Sequence, residues 1–328
     1  MPVNGKHLLH YVPHGINSKT FQPLEKNDGV LKKLRKEYFG ETQYEFVVGF
    51  NSRNSHRKHP SNLVLGFKTF CDHLPPEDAK KCVLLMHTDK SSQEGTDLIA
   101  VTEALCPQYK VIVDDSRKSP EEMCRLYNLF DMTANISSNE GFGLSIAESI
   151  MCGTPVIASV TGGLQDQLGF VDDNGNPPEF NLEFGTNVTG RYKKHGSWAK
   201  PLWTTTQTMQ GSPPTPYIMD DFVDYKQIAD GIMYWYLAGN EVREKFGLEG
   251  REWALNKGGI NSENMCNEFI KAMDYTIDNF TPPKKFDMFV YSEDFNIRRL
   301  PQDKVGFDTH KINIEQLEQE LELKQKST

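Results

Sequence analysis

Two acids and two glycines share one short stretch of this chain. It reads Ser138-Asn139-Glu140-Gly141-Phe142-Gly143-Leu144-Ser145-Ile146-Ala147-Glu148 and continues through Gly153-Thr154-Pro155-Val156-Ile157-Ala158. The pattern is a glycine-containing loop, then a helix, a turn and a strand. Gly141 and Gly143 let the backbone come close to a ligand, and the loop N–H groups with the helix N-terminus would face an anion. Glu140 stands just before the loop and Glu148 in the helix. Two carboxylates aimed at an anion site make sense as acceptors for hydroxyls, as on a sugar and a ribose. Positive charge for a diphosphate sits earlier, where Arg53 and Lys58 follow an apolar run. Arg supplies a planar fork and Lys a point charge. The alternative for Arg53, His56, Arg57 and Lys58 is a solvated basic loop.

These side chains need a frame. Apolar runs at 45–50, 82–86, 109–113, 131–136 and 155–159 read as five strands. Helical patterns separate them. One carries Leu63, Phe67 and Phe70. A second spans 97–105. A third starts at Ser119-Pro120-Glu121-Glu122, with an N-cap Ser, Pro at the first position and acids in the first turn. A fourth spans 145–151. Such alternation predicts an α/β fold with a Rossmann-like parallel sheet flanked by helices. Sheets of this kind bind ligands at the carboxyl ends of their strands, where the loops 51–60, 137–144 and 160–163 fall.

The alternation breaks over 172–216, which is rich in Gly, Pro, Asn and Thr. It reads as an irregular insertion with Trp198 and Trp203 exposed. Helices resume at 225–237, 241–256 and 262–279. The expected organisation is one domain over 1–280 and a polar tail over 281–328. The tail ends in a helix at 314–324 whose Ile314, Leu317 and Leu321 dock on the main body or on a partner helix.

Composition sets further bounds. The 328 residues carry 36 basic and 45 acidic side chains, a net charge of −9, which argues against broad nucleic-acid binding. Nineteen Phe, 12 Tyr and 4 Trp supply ample core. No apolar run approaches the ~18 residues of a membrane span, and the first residues lack a signal-peptide pattern, so a cytoplasmic location is expected. The 6 cysteines are scattered without metal spacing and read as reduced, buried thiols.

The string from Glu140 to Gly163 resembles the signature of the retaining glycosyltransferases of family 4, which have the GT-B fold. Their context is E-GFGL-x3-E-x4-G-x-PV-x-A followed by Gly-Gly. Here it is Glu140, Gly141-Phe142-Gly143-Leu144, Glu148, Gly153, Pro155-Val156, Ala158 and Gly162-Gly163. Arg53 and Lys58 match the family's Arg and Lys after the first strand of the C-terminal domain. Pro13-His14-Gly15-Ile16-Asn17 with Phe21 and Pro23 resembles the segment entering that domain. The resemblance covers roughly residues 10–165, and the helices at 225–280 in general character.

It implies a domain that holds a nucleoside diphosphate sugar as donor. Glu148 would take the ribose hydroxyls. Glu140 and the amides of Gly141, Phe142, Gly143 and Leu144 would hold the donor sugar and phosphate. Arg53 and Lys58 would neutralise the diphosphate leaving group. The sugar would pass to an unknown acceptor with retention, without a cofactor or bound metal. Asp114-Asp115 would belong to a loop near the nucleobase. The family's N-terminal acceptor domain is expected upstream and is absent from this chain. Two readings follow: a glycosyltransferase or its donor-binding half, and a non-catalytic nucleotide-sugar-binding subunit that needs a separate acceptor-domain chain. An epimerase or phosphorylase of the same fold ranks behind both.

Overall fold

Continuous apolar runs build the central sheet. Phe46-Val47-Val48-Gly49-Phe50 forms most of β1 (Phe46–Asn51), and Cys82-Val83-Leu84-Leu85-Met86 most of β2 (Cys82–His87). Both are buried along nearly their whole length, as parallel strands covered on two faces must be. β3 (Lys110–Asp114), β4 (Met132–Asn135), β5 (Val156–Ser159) and β6 (Ala199–Leu202) complete six parallel strands in the order β3-β2-β1-β4-β5-β6. This computed structural model describes residues 12–25, 28–178, 192 and 194–280, together with the short strands Pro2–Val3, Lys6–His7, Phe289–Tyr291 and Ile297–Arg299.

Alternation along the strands fills two cores. Phe46, Val48, Phe50, Leu84 and Met86 face one side of the sheet and meet α2 (Pro60–Asp72) and α3 (Leu98–Leu105). Val47, Val83 and Leu85 face the other, with α1 (Gly29–Phe39), α4 (Pro120–Leu129) and α5 (Leu144–Met151). α4 begins with the expected cap: Ser119 and Glu122 form a reciprocal capping box and Pro120 opens the helix. The long α6 (Tyr225–Leu255) serves both faces. It breaks at Gly239 (φ 75°, ψ 167°). Before the break, Ile228, Ile232 and Trp235 pack on the first side; after it, Ala254 packs on the second. The separate helices expected at 225–237 and 241–256 are the two arms of this element. α7 (Ser262–Asn279) follows.

The region read as irregular insertion is partly regular. Residues 199–202 supply the sixth sheet strand, and β7 (Thr206–Ser212) pairs antiparallel with β8 (Thr215–Phe222). The edge position of β6 explains how a strand can contain Pro201, whose missing N–H would break a central ladder. Trp198, expected exposed, is only 6% exposed. Its indole stacks on Trp253 at 4.8 Å and donates to the Gln167 carbonyl at 3.1 Å. Trp203 is half-buried. Five cysteines are buried free thiols, but Cys266 is exposed.

The chain forms two compact units, residues 11–268 and residues 1–10 with 269–328. The first holds the sheet. The second contains the two strand pairs, 2–3 with 6–7 and 289–291 with 297–299, and the last turns of α7. The helix expected at 314–324, with its Ile314, Leu317 and Leu321 face, lies outside the described residues. No helix among the described residues is long and apolar enough to cross a membrane.

Close backbone packing fixes α5 under α6. A Cβ on Gly247 of α6 would stand 1.8 Å from the Gly153 carbonyl oxygen, just past the end of α5. Gly247→Ala is expected to destabilise the protein by about 1–3 kcal/mol, the usual range for overpacking. A lowered urea midpoint with an unchanged slope checks this; an unchanged midpoint refutes it.

Candidate functional site

Three loops meet at the carboxyl edge of the sheet. The loop after β1 carries Arg53 and the 3-10 turn His56–Lys58. The loop after β4 carries Glu140 to Gly143, and the loop after β5 carries Gly162 and Gly163. Backbone contacts bind them together. The Gly163 amide donates to the Glu140 carbonyl at 2.9 Å, and the Ser138 amide to the Arg57 carbonyl at 2.8 Å. A Cβ on Gly162 would stand 2.1 Å from the Glu140 carbonyl oxygen, and one on Gly163 2.2 Å from that of Gly141. This approach needs two residues without side chains.

Between the loops lies a cleft of about 780 Å³. Arg53, Arg57, Lys58, Glu140 and Glu148 line it. Phe142, Gly143 and Leu144 form part of its wall, while Gly141 does not. His14 also faces it, edge-on to Phe142 at 5.1 Å. Asp114 and Asp115 border the cleft from the end of β3. Asp114 pairs with Lys118 at 2.8 Å and accepts from the Tyr38 hydroxyl; Asp115 pairs with Lys90 at 2.9 Å. Burial would raise the Asp114 carboxyl, but the bonds from Lys118, Ser116 and Tyr38 outweigh it and hold it low. Burial and Asp114 push the Tyr38 phenol up to about 12. Among the described residues no three or more His, Cys, Asp or Glu side chains gather into a metal-holding group.

The two acids sit in different surroundings. Glu140 is held by cations. Its Oε2 is in direct contact with the Lys58 ammonium and lies 3.4 Å from both Arg57 Nη1 and Ser137 Oγ. The side chains of Lys58 and Glu140 are only 9% and 12% exposed. Burial and the Arg57 charge pull Lys58 down to about 7, far below an ordinary lysine. Among the described residues Glu148 pairs with no cation; it accepts from the buried Tyr127 hydroxyl at 2.7 Å. Burial raises the Glu148 carboxyl, and the Tyr127 bond opposes this only in part.

Arg53 and Lys58 therefore line one cleft but contact different carboxylates. Arg53 is exposed and lies 3.2 Å from Glu94, whereas Arg57 shares Glu140 with Lys58. The loop is not solvated throughout, because Lys58 is buried. In the sequence Arg57 reads only as part of a solvated loop, although it adjoins Lys58. Tyr127, Asn51 and His87 carried no signal that set them apart from core or loop residues.

Residues 34–175 match the family model described as Glycosyl transferases group 1. The chain is 31% identical over 160 residues to a D-inositol 3-phosphate glycosyltransferase of Xylanimonas cellulosilytica, a match covering 48% of this chain and 36% of that protein. The chain thus spans about a third of the length of the curated relatives it matches. Among solved structures it resembles a glycosyltransferase from Rickettsia africae (TM-score 0.54, 17% identity, covering 82% of this chain and 57% of that one). It also resembles Anabaena HepE in complex with UDP and glucose (TM-score 0.52, 16% identity, covering 79% and 55%). The fold is the Rossmann-like fold of GT-B glycosyltransferases.

Two cations on one half-dry carboxylate should be coupled. Lys58→Met leaves Glu140 with Arg57, and Arg57→Met leaves it with Lys58, but the double variant strands a charge. Its loss of stability is expected to exceed the sum of the single losses by about 0.5–1 kcal/mol, the low end because Arg57 is half exposed. Strict additivity in urea unfolding would show that Glu140 does not bridge them.

Proposed function

We propose that this chain is the donor-binding part of a retaining glycosyltransferase of family 4 type. In this reading it holds a nucleoside diphosphate sugar whose sugar passes to an acceptor not yet identified. The observation that carries the reading is the convergence of buried Lys58, Glu140 and Glu148 on one cleft at the carboxyl edge of the sheet. The fold likeness to HepE, solved with UDP and glucose, supports it.

The roles follow from charge and geometry. A diphosphate gains negative charge as the sugar–phosphate bond breaks, and Lys58, Arg57 and Arg53 stand around the space it would fill. The first amides of α5, at Leu144 and Ser145, have no acceptor within the helix and add a positive helix end. Glu148 accepts from the ribose diol. Glu140, fixed by Lys58, steadies the positive charge that develops on the sugar and need not bond to it. Neutralisation by side chains and amides asks for no metal.

Calorimetry with UDP, GDP, ADP and their sugar conjugates tests this reading. One nucleotide is expected to bind, and Glu148→Ala and Lys58→Ala to weaken it about ten- to a hundredfold each, the scale of a lost hydrogen bond to a charged group. Unchanged affinity in both folded variants would sink the site assignment.

The pH dependence has a definite sign on both sides. Glu148 must be ionised to serve two hydroxyl donors, and its pKa is raised, so affinity falls on acidification at a pH above the ordinary carboxylate value. Burial and the Arg57 charge bring Lys58 to about 7, and a diphosphate favours its ammonium form. Binding at about pH 8 should therefore take up a proton, and at about pH 6 should not. Binding heats in two buffers of different ionisation enthalpy read this directly. Equal heats at pH 8, or uptake that survives Lys58→Met, would contradict the assignment.

A further inference from the structure

Polar groups from four elements form one chain of contacts along the cleft. The Ser116 carbonyl oxygen lies 2.9 Å from His87 Nε2, and His87 Nδ1 lies 2.8 Å from Asn51 Oδ1. Asn51 Nδ2 donates to the Tyr127 hydroxyl oxygen at 2.6 Å, and that hydroxyl donates to Glu148 Oε2 at 2.7 Å. Asn51 and His87 are register partners at the ends of β1 and β2; Tyr127 is on α4 and Glu148 on α5. Tyr127 is fully buried, so its hydroxyl depends on these two partners.

Such a chain fixes a proton count. A carbonyl oxygen only accepts, so His87 Nε2 carries a proton. With the Asn51 amide in this orientation Oδ1 also only accepts, so this arrangement requires a proton on Nδ1 too, an imidazolium. At the other end, the single Tyr127 proton goes to Glu148, which must be a carboxylate. Turning the Asn51 amide over gives a second complete arrangement. Its NH2 then donates to a neutral imidazole and its oxygen takes the Tyr127 proton, so the Tyr127 oxygen is served only by a protonated Glu148. The two arrangements hold equal numbers of protons. Any mixture sets two acceptors face to face at a contact that includes buried groups, which is costly.

We propose that His87, Asn51 and Tyr127 are positioning residues that couple the proton on His87 to the charge on Glu148. An imidazolium at one end keeps the carboxylate ionised at the other. The functional meaning rests on the donor-site reading above, in which a ribose diol with two O–H donors needs that carboxylate. Loss of the His87 proton turns Asn51 and deprives Glu148 of its Tyr127 donor.

Other charges act on both ends. Asp114, the register partner of His87 on β3, is neutralised by Lys118, and Asp115 by Lys90. Asp89 stands on the same strand end as His87, and Arg53 and Lys58 share the cleft. Near Glu148 are the buried Cys152 thiol and, across the cleft, Glu140 held by Lys58 and Arg57. None of these lies on the hydrogen-bonded path, so a variant on the path separates the relay from the general field.

The test is the His87 titration, followed by NMR of the imidazole in the unliganded protein. Wild type is compared with Glu148→Gln, Tyr127→Phe and the double variant. Glu148→Gln is expected to lower the His87 proton affinity about three- to tenfold, the scale of one net hydrogen bond. Tyr127→Phe should do likewise, and the double variant should add nothing further. A Glu148→Gln effect that is absent, or that persists at full size in the Tyr127→Phe background, overturns the relay. Asn51→Ala, at a half-buried position, breaks the same path without entering the core. It should also abolish the Glu148→Gln effect, which keeps the test open if Tyr127→Phe does not fold. No nucleotide is present, so failure of the donor-site reading would show in the nucleotide panel and leave this titration intact.

Discussion

A carboxylate with little access to water, as at Glu140, keeps its charge only if a cation shares its burial. Lys58 in its ammonium form is that cation, with Arg57 beside it, and much of the local architecture follows from bringing Lys58 and Glu140 together. Lys58 lies in the loop after β1 and Glu140 in the loop after β4, so the first loop must fold across the strand ends. The backbone secures the crossing, because the Ser138 amide donates to the Arg57 carbonyl. The Asp221 amide at the base of the β7–β8 hairpin then donates to the Ser138 carbonyl at 2.9 Å. The Gly162-Gly163 turn closes from the third side. One short segment, 138–140, is thus the junction for three loops and a hairpin, and the ion pair sits on it.

Rigidity at that junction comes from the layers beneath. β1 and β2 are sealed on both faces, and α6 bends at Gly239 so that one helix braces both. The bend is tied down by Arg243, which donates to the Trp235 carbonyl at 2.8 Å and lies 3.2 Å from Asp131. Asp131 also accepts from the Val47 amide at 2.8 Å, which links the bend to the central strand. Burial pushes the Asp131 carboxyl up, and Arg243 opposes that shift. α5 carries Glu148 and lies between this brace and the sheet. Its placement therefore reflects packing that is remote from any ligand, and a small shift there would be felt at the cleft.

How much of this was legible in the sequence depends on how locally each feature is encoded. The first five strands were readable because buried parallel strands are nearly unbroken apolar runs, and the α4 start because its cap lies within four residues. β6 was not readable. Ala199-Lys200-Pro201-Leu202 has neither alternation nor an apolar run, and only its place beside β5 makes it a strand. Trp198 looked exposed because its neighbours are Gly, Ser and Lys; Trp253, far along the chain, is what covers it. The site divides in the same way. Glu140, Glu148, Arg53 and Lys58 stood out through spacing, and the structure brings all four to one cleft. That Arg57 rather than Arg53 shares Glu140 depends on a turn geometry that spacing does not specify. The Asn51–Tyr127–Glu148 contacts join residues with no common local pattern.

The two glutamates show how one side chain serves two tasks through its surroundings. Glu140 is neutralised by cations, so in the donor-site reading proposed above a diphosphate would compete with it for Lys58 and redistribute charge that is already present. Glu148 is met by a neutral hydroxyl instead. In the same reading a diol at Glu148 would displace no cation and would use acceptor positions that Tyr127 leaves open, since a carboxylate offers about four. Charge at Glu140 is therefore set by its cations, while Glu148 faces the hydrogen-bonded groups behind it. Separating the two in this way lets one cleft hold two carboxylates without the mutual repulsion that would force a proton onto one of them.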